Sequence, residues 1–246
     1  MKTAFLFQIW PYAAVVLFIT GMAIRYLTIR EQTGVKHSWW FDTFDLFGSA
    51  RLLQFSLFLL VLGHLAGLLF PQRILLWNSI PSRLYAFEAL AFAAGLAALV
   101  GWARVIWQHR AGSDGSIRKQ MGNVVFLSLL FTVLLSGSLT AILFRWGSSW
   151  GVFTLTPYVA SLLRGQPAVR LVTGMPFLVR LHIFSAFATL AALPATRLAP
   201  VLIIGLRRGL RLILTPLHSF ATSASKPVEV VARRLNPAIW LWPEDD

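Results

Sequence analysis

Runs of apolar residues, each about 20 long and separated by short clusters of charge, set the pattern of this chain. A hydrocarbon core of ~30 Å needs a helix of about 20 apolar residues. The first such run is Ala4 to Ile24, with Trp10, Pro11 and Tyr12 in its early part. Leu52 to Phe70 is free of charge, carries His64, and stops at Pro71. Leu84 to Ala103 contains Glu88, and Met121 to Phe144 has no charged residue. The fifth run starts near Pro176 and is uncharged from Leu181 to Thr196, with His182 inside it. Pro194 and Pro200 are expected to bend it or end it early. A backbone in lipid must satisfy its hydrogen bonds internally, so the pattern predicts an all-α, polytopic bundle of five transmembrane helices.

The connections are polar and basic. Phe41 to Ser49 reads as a short amphipathic piece, and Gly112 to Ser116 as a flexible turn. Trp146 to Met175 is the longest connection between spans, and Tyr158 to Leu163 predicts one or two helical turns within it. LRRGLRLILTPL, from Leu206, reads as an interfacial amphipathic helix. WLWPEDD at the end reads as a docking peptide or a disordered tail. This divides the chain into a transmembrane domain, 1–206, and a basic tail, 207–246.

Composition agrees with the pattern. The chain has 246 residues, 57% hydrophobic and 13% charged, too apolar for a soluble domain of this length. Its net charge of +13 collects at span ends, which argues against nucleic acid and for a topology signal. With the N-terminus outside, 15 of the 22 Lys and Arg fall on the inner side. The expectation is N-out and C-in, in a bacterial or archaeal cytoplasmic membrane. The absence of cysteine rules out a cysteine-ligated iron–sulfur cluster, a disulfide and a covalently attached c-type haem within this chain.

Two histidines then change the picture. Histidine inside a span is costly unless it has a partner. His64 lies six residues before Phe70 and His182 six residues after Pro176. At 1.5 Å rise per residue, both imidazoles sit ~9 Å below the outer boundary on antiparallel helices. Two neutral imidazoles at one depth suit the two axial positions of one haem b. Gly63 and Gly67 beside His64, and Ser185, Ala186 and Thr189 on the face of His182, leave room for a flat macrocycle. Arg180, and Arg83 at the start of the third span, are candidates to pair with propionates. The plainer alternative is that small residues serve close helix packing and each histidine bonds a neighbouring helix. His37, His109 and His218 fall outside the spans and read as solvated or interfacial. Glu88 is either an interfacial carboxylate paired with Arg83 or Arg180, or a proton acceptor beside a quinone pocket to which Tyr85 contributes a hydroxyl.

Several of these residues carry a resemblance. Trp10-Pro11-Tyr12, Gly63-His64 with Gly67 and Pro71, and Arg180-Leu181-His182 with Pro194 and Arg197-Leu198 resemble the gamma subunit of respiratory nitrate reductase and its relatives. The likeness covers roughly residues 5 to 206. It implies a five-helix cytochrome b that exchanges electrons with quinols in a complex. The family pattern has two histidines on each of two helices, for two haems. Here the second pair is replaced by Gln54 and Pro200, so the resemblance implies one haem, held by His64 and His182. The family's quinol-binding lysine near the third span is also missing, and Tyr85 and Glu88 occupy that region.

The sequence therefore points to an electron-transfer subunit of a respiratory oxidoreductase, with quinone as exchangeable substrate. Its expected partners are membrane lipid and redox subunits of iron–sulfur, molybdenum or cytochrome c type. The alternative is a haem-free membrane anchor or scaffold, or a small transporter.

Overall fold

The computed structural model describes residues 2–31, 51–111 and 117–196, with side chains at 5–28, 51–107 and 124–196. Several expectations lie outside the described residues: His37, the piece at 41–49, the side chain of His109, the turn at 112–116, Arg197, Leu198, Pro200 and the whole basic tail. The described residues all fall within one compact unit.

Helices account for the chain's hydrophobic runs. They are α1 (Lys2–Glu31), α2 (Arg51–Leu69), α3 (Pro71–Asn78), α4 (Pro81–Ala111), α5 (Ile117–Leu143), α6 (Gly147–Leu163), α7 (Arg170–Thr173) and α8 (Phe177–Ala192), which ends in a 3-10 turn, Leu193–Ala195. Five are long and apolar enough to cross a membrane: Phe5–Thr28, Arg51–Leu69, Pro81–Trp107, Val124–Leu143 and Phe177–Ala195. The all-helical, five-span class expected from the sequence is the class observed.

Two differences from expectation have physical causes. Pro71 and Pro81 do not merely interrupt. A proline at the first helical position loses no hydrogen bond, so each starts a new helix, α3 and α4. The connection at 146–175 is also far more ordered than two turns. Here α6 runs for 17 residues through Pro157, because Val152, Tyr158 and Leu162 bury one face. Tertiary burial outweighs the breakers Gly147, Ser148, Ser149 and Pro157.

Around the bundle, α8 packs most extensively on α5 and also on α1; α4 packs on α2 and α5. Between α2 and α8 there is little direct contact. We call the end where α2 finishes and α8 begins the upper end; α3, α6 and α7 lie there. The lower half is filled by Leu53 of α2, Ala98 of α4, and Phe126, Leu130 and Leu134 of α5, with Leu57, Leu60, Val133, Ala192 and Leu193 against them. At Gly101 the backbone of α4 comes so close to α2 that a Cβ would stand 2.6 Å from the Leu53 nitrogen.

The Trp10-Pro11-Tyr12 element ties α1 to its neighbours. Pro11 has no N–H, which leaves the Phe7 carbonyl without its donor one turn on. The buried Tyr158 hydroxyl supplies it at 2.7 Å. The Tyr12 hydroxyl donates to the Leu162 carbonyl at 2.8 Å, sharing that acceptor with the Gly165 N–H at 3.0 Å where α6 ends. Trp10 stacks on Phe184 and donates to its carbonyl at 3.3 Å, joining α1 to α8.

Candidate functional site

His64 and His182 face each other across the gap between α2 and α8. Their ring centroids are 6.1 Å apart and their planes are inclined at 35°. The His64 Nδ1 lies 2.7 Å from the Leu60 carbonyl, one turn back on its own helix. The His182 Nδ1 lies 2.9 Å from the Val133 carbonyl of α5. A carbonyl only accepts, so each Nδ1 carries a proton, and the neutral tautomer this selects leaves Nε2 as the ring's acceptor nitrogen. Among the described residues no hydrogen bond reaches either Nε2.

The 6.1 Å spacing fits two imidazoles that share one metal ion. Each ligand nitrogen sits ~2.0 Å from a metal of this kind and ~1.1 Å from its own ring centre, so opposed ligands have centroids ~6.2 Å apart. Metal-binding histidines commonly give the other ring N–H to a backbone carbonyl, which sets the tautomer. Groups of three or more His, Asp or Glu are absent among the described residues. Haem asks the protein for only two such ligands, so a pair is sufficient.

The small residues divide by role. A Cβ at Gly63 would meet nothing within 4 Å, so open space adjoins His64, which is itself exposed. On α8, Ala186 is also exposed. Ser185 is buried and donates to the His182 carbonyl at 3.1 Å; Thr189 donates to the Ser185 carbonyl at 2.7 Å. Their hydroxyls are thus satisfied along α8 rather than aimed outward. Gly67 faces α6: its carbonyl accepts from Thr156 at 3.1 Å, and a Cβ there would touch Val152 at 3.5 Å.

Of the two arginines, Arg180 has a buried Nε without a hydrogen-bond partner, two residues before His182. A buried guanidinium nitrogen left open is an invitation to an anion. Arg83 is exposed, with its guanidinium 5.1 Å from the Trp77 ring centre.

Glu88 and Tyr85 meet α6 rather than the histidine pair. The Glu88 carboxylate accepts from the Ser148 backbone N–H at 2.7 Å and from the Ser148 hydroxyl. It thereby occupies the N-terminus of α6, where free N–H groups and the helix dipole favour negative charge. Trp146, which precedes α6, has φ 68° and no side-chain cap of its own, so a carboxylate from α4 serves instead. Asn78 extends the network, donating to Ser148 and Ser149 at 3.0 and 3.1 Å. Tyr85 packs edge-on to Trp146, ring centres 5.0 Å apart. A separate shallow apolar pocket of about 310 Å³ is lined by Phe144, Arg145, Trp150, Met175, Pro176 and Val179, and neither Tyr85 nor Glu88 is part of its wall.

Sequence reasoning passed over Ser136 and Gly137 of α5, which touch the His182 ring. A Cβ on Gly137 would lie 2.8 Å from His182 Cε1, and Ser136 Oγ lies 3.3 Å from His182 Nδ1. The signal was available as Ser136-Gly137-Ser138, three small residues inside an otherwise apolar span.

Comparison with known proteins agrees with this architecture. The family model described as "Nitrate reductase gamma subunit" matches residues 3–208. The nitrate reductase gamma chain of Bacillus subtilis (strain 168) is 26% identical over 212 residues, covering 84% of this chain and 94% of that one. The respiratory nitrate reductase 2 gamma chain of Escherichia coli (strain K12) is 22% identical over 202 residues, covering 80% of this chain and 88% of that one. With a match running through all five apolar helices, the chain belongs to the nitrate reductase gamma subunit family.

Proposed function

We propose that this chain is the membrane haem b subunit of a respiratory oxidoreductase, passing electrons between the quinone pool and a partner redox subunit. The observation that carries the reading is the His64–His182 pair: ring centres 6.1 Å apart, each Nδ1 held by a backbone carbonyl. One haem b, bound non-covalently, would supply one-electron chemistry between its two oxidation states.

The chain's own residues do the rest. His64 and His182 hold the group through Nε2. Arg180, with its open Nε, pairs with a propionate, and Arg83 is the second candidate. Gly63 and Ala186 border the open space, while Ser185, Thr189 and Gly67 fix the helices on either side. Tyr85 and Glu88 are the quinone-site candidates, set against Trp146 and the N-terminus of α6 in the 146–175 connection. In this reading the N-terminus is outside, the upper end faces outward, and the tail lies in the cytoplasm.

A single haem is supported by the packing below the pair. Leu53, Leu57, Leu60, Val133, Ala192 and Leu193 fill that region together, while Gln54 is exposed and outside the cluster. Relatives named as nitrate reductase gamma chains support a complex with further subunits. Among the described side chains His64 and His182 are the only histidines, so in this reading the partner either docks near the upper end or brings the missing carrier.

The test is a reduced-minus-oxidised spectrum of the purified protein with extracted haem counted per chain. One low-spin haem b is expected, lost in both His64→Ala and His182→Ala. Two haems, or a normal low-spin spectrum in both variants, would remove the assignment. A well-folded protein that takes up no haem would leave a membrane anchor.

A further inference from the structure

The His182 ring does not rest on its own helix; it rests on α5. The Val133 carbonyl belongs to the helical ladder and is normally taken by the N–H of Gly137, one turn on. A side chain at residue 137 would lean back toward the helix N-terminus and cover that carbonyl. Glycine has none. The imidazole fills the vacated volume so fully that a Cβ would come within 2.8 Å of Cε1 and 3.1 Å of Nδ1. Through that opening Nδ1–H reaches a second lone pair of the Val133 carbonyl at 2.9 Å. Beside it, the Ser136 hydroxyl donates to the Thr132 carbonyl at 2.6 Å and turns its oxygen toward the same Nδ1, 3.3 Å away.

His64 is held differently. Its Nδ1 uses the Leu60 carbonyl of its own helix, and a Cβ on the neighbouring Gly63 would meet nothing within 4 Å. One ring is thus held within its own helix and the other is clamped by a second helix.

We propose that Ser136 and Gly137 form a seat on α5 that sets the tautomer and ring plane of His182, and so the ligand field at its Nε2. They are positioning residues, acting through His182, and the proposal rests on the reading of His182 as a haem ligand. Gly137 admits the ring; the Val133 carbonyl and Ser136 oxygen accept the hydrogen bond of Nδ1–H and make Nε2 a stronger donor to a metal.

The experiment uses the full-length, haem-loaded protein in membranes. Three quantities are read for wild type, Gly137→Ala, Ser136→Ala and the control Gly151→Ala: haem affinity, midpoint potential and the low-spin g values. In Gly137→Ala the ring must shift, so the g values move and haem affinity falls ~10-fold. In Ser136→Ala haem is retained and the potential rises, because a less basic imidazole stabilises the oxidised iron less. Gly151→Ala, whose Cβ would meet nothing within 4 Å, matches wild type throughout. Wild-type g values and potential in both seat variants would overturn the proposal while leaving the ligand assignment standing. Absence of a low-spin haem in wild type would instead strike the ligand assignment. Should Gly137→Ala fail to accumulate, Ser136→Ala decides alone: an unchanged potential overturns the seat.

Discussion

The bond from Tyr158 to the Phe7 carbonyl exists because of Pro11, and that dependence is measurable. Tyr158→Phe removes one hydroxyl and keeps the ring. The Phe7 carbonyl then has no donor, since Pro11 cannot supply one. Phe7 is 2% and Tyr158 0% exposed, so water does not replace the lost donor. Leaving such an acceptor unsatisfied costs ~1–3 kcal/mol. For a chain of this length that lowers Tm by roughly 2–4 °C per kcal/mol, a drop of several degrees. Pro11→Ala restores an N–H at residue 11 and gives the carbonyl a second source. In that background Tyr158→Phe is expected to cost less, a coupling of ~1 kcal/mol. Thermal denaturation of the four proteins in one detergent, followed by helical circular dichroism, reads the cycle. Equal losses in both backgrounds would refute the claim that Tyr158 replaces the proline's missing donor.

The remaining predictions concern the same packing. Burial, with Tyr12 nearby, pushes the Tyr158 phenol up from 10.0 to about 12. A raised phenol favours the folded state while protonated, so this stability is complete below pH 10 and is lost as pH rises toward about 12; Tyr158→Phe should flatten that alkaline loss in a pH series of melting curves. Glu88→Ala strips the carboxylate from the N-terminus of α6 and should lower stability by ~1–2 kcal/mol, with Glu88→Gln costing less because an acceptor oxygen remains. Equal stability of wild type and Glu88→Ala in a denaturation series would count against the cap. Gly101→Ala forces a Cβ against the Leu53 backbone, separating α2 from α4 at a cost of ~1–3 kcal/mol; an unchanged Tm would show that the helices yield freely there.

How much of this was readable in the sequence depended on what kind of physics wrote it. Lipid imposes one rule on every span, so length and apolarity alone yielded five helices, close to the observed Phe5–Thr28 and Phe177–Ala195 at either end of the described unit. The same rule made His64 and His182 conspicuous, and the rise per residue put them at one depth. What sequence could not supply was the lateral order of the helices. Depth says nothing about which helix lies between which, and α5, apolar and featureless in its hydropathy, proved to be the neighbour that holds His182 through Val133, Ser136 and Gly137. The 17 residues of α6 were hidden for a related reason. Gly147, Pro157 and the serines weaken it locally, and burial of Val152, Tyr158 and Leu162, with the Glu88 cap from α4, stabilises it. Glu88 was marked as expensive from sequence, yet its partner, the open N-terminus of α6, belongs to a helix the sequence did not disclose. Local rules thus determined the spans and the depth of the histidines. Contacts between helices distant in sequence, which carry no periodic signature, decided who touches each side chain.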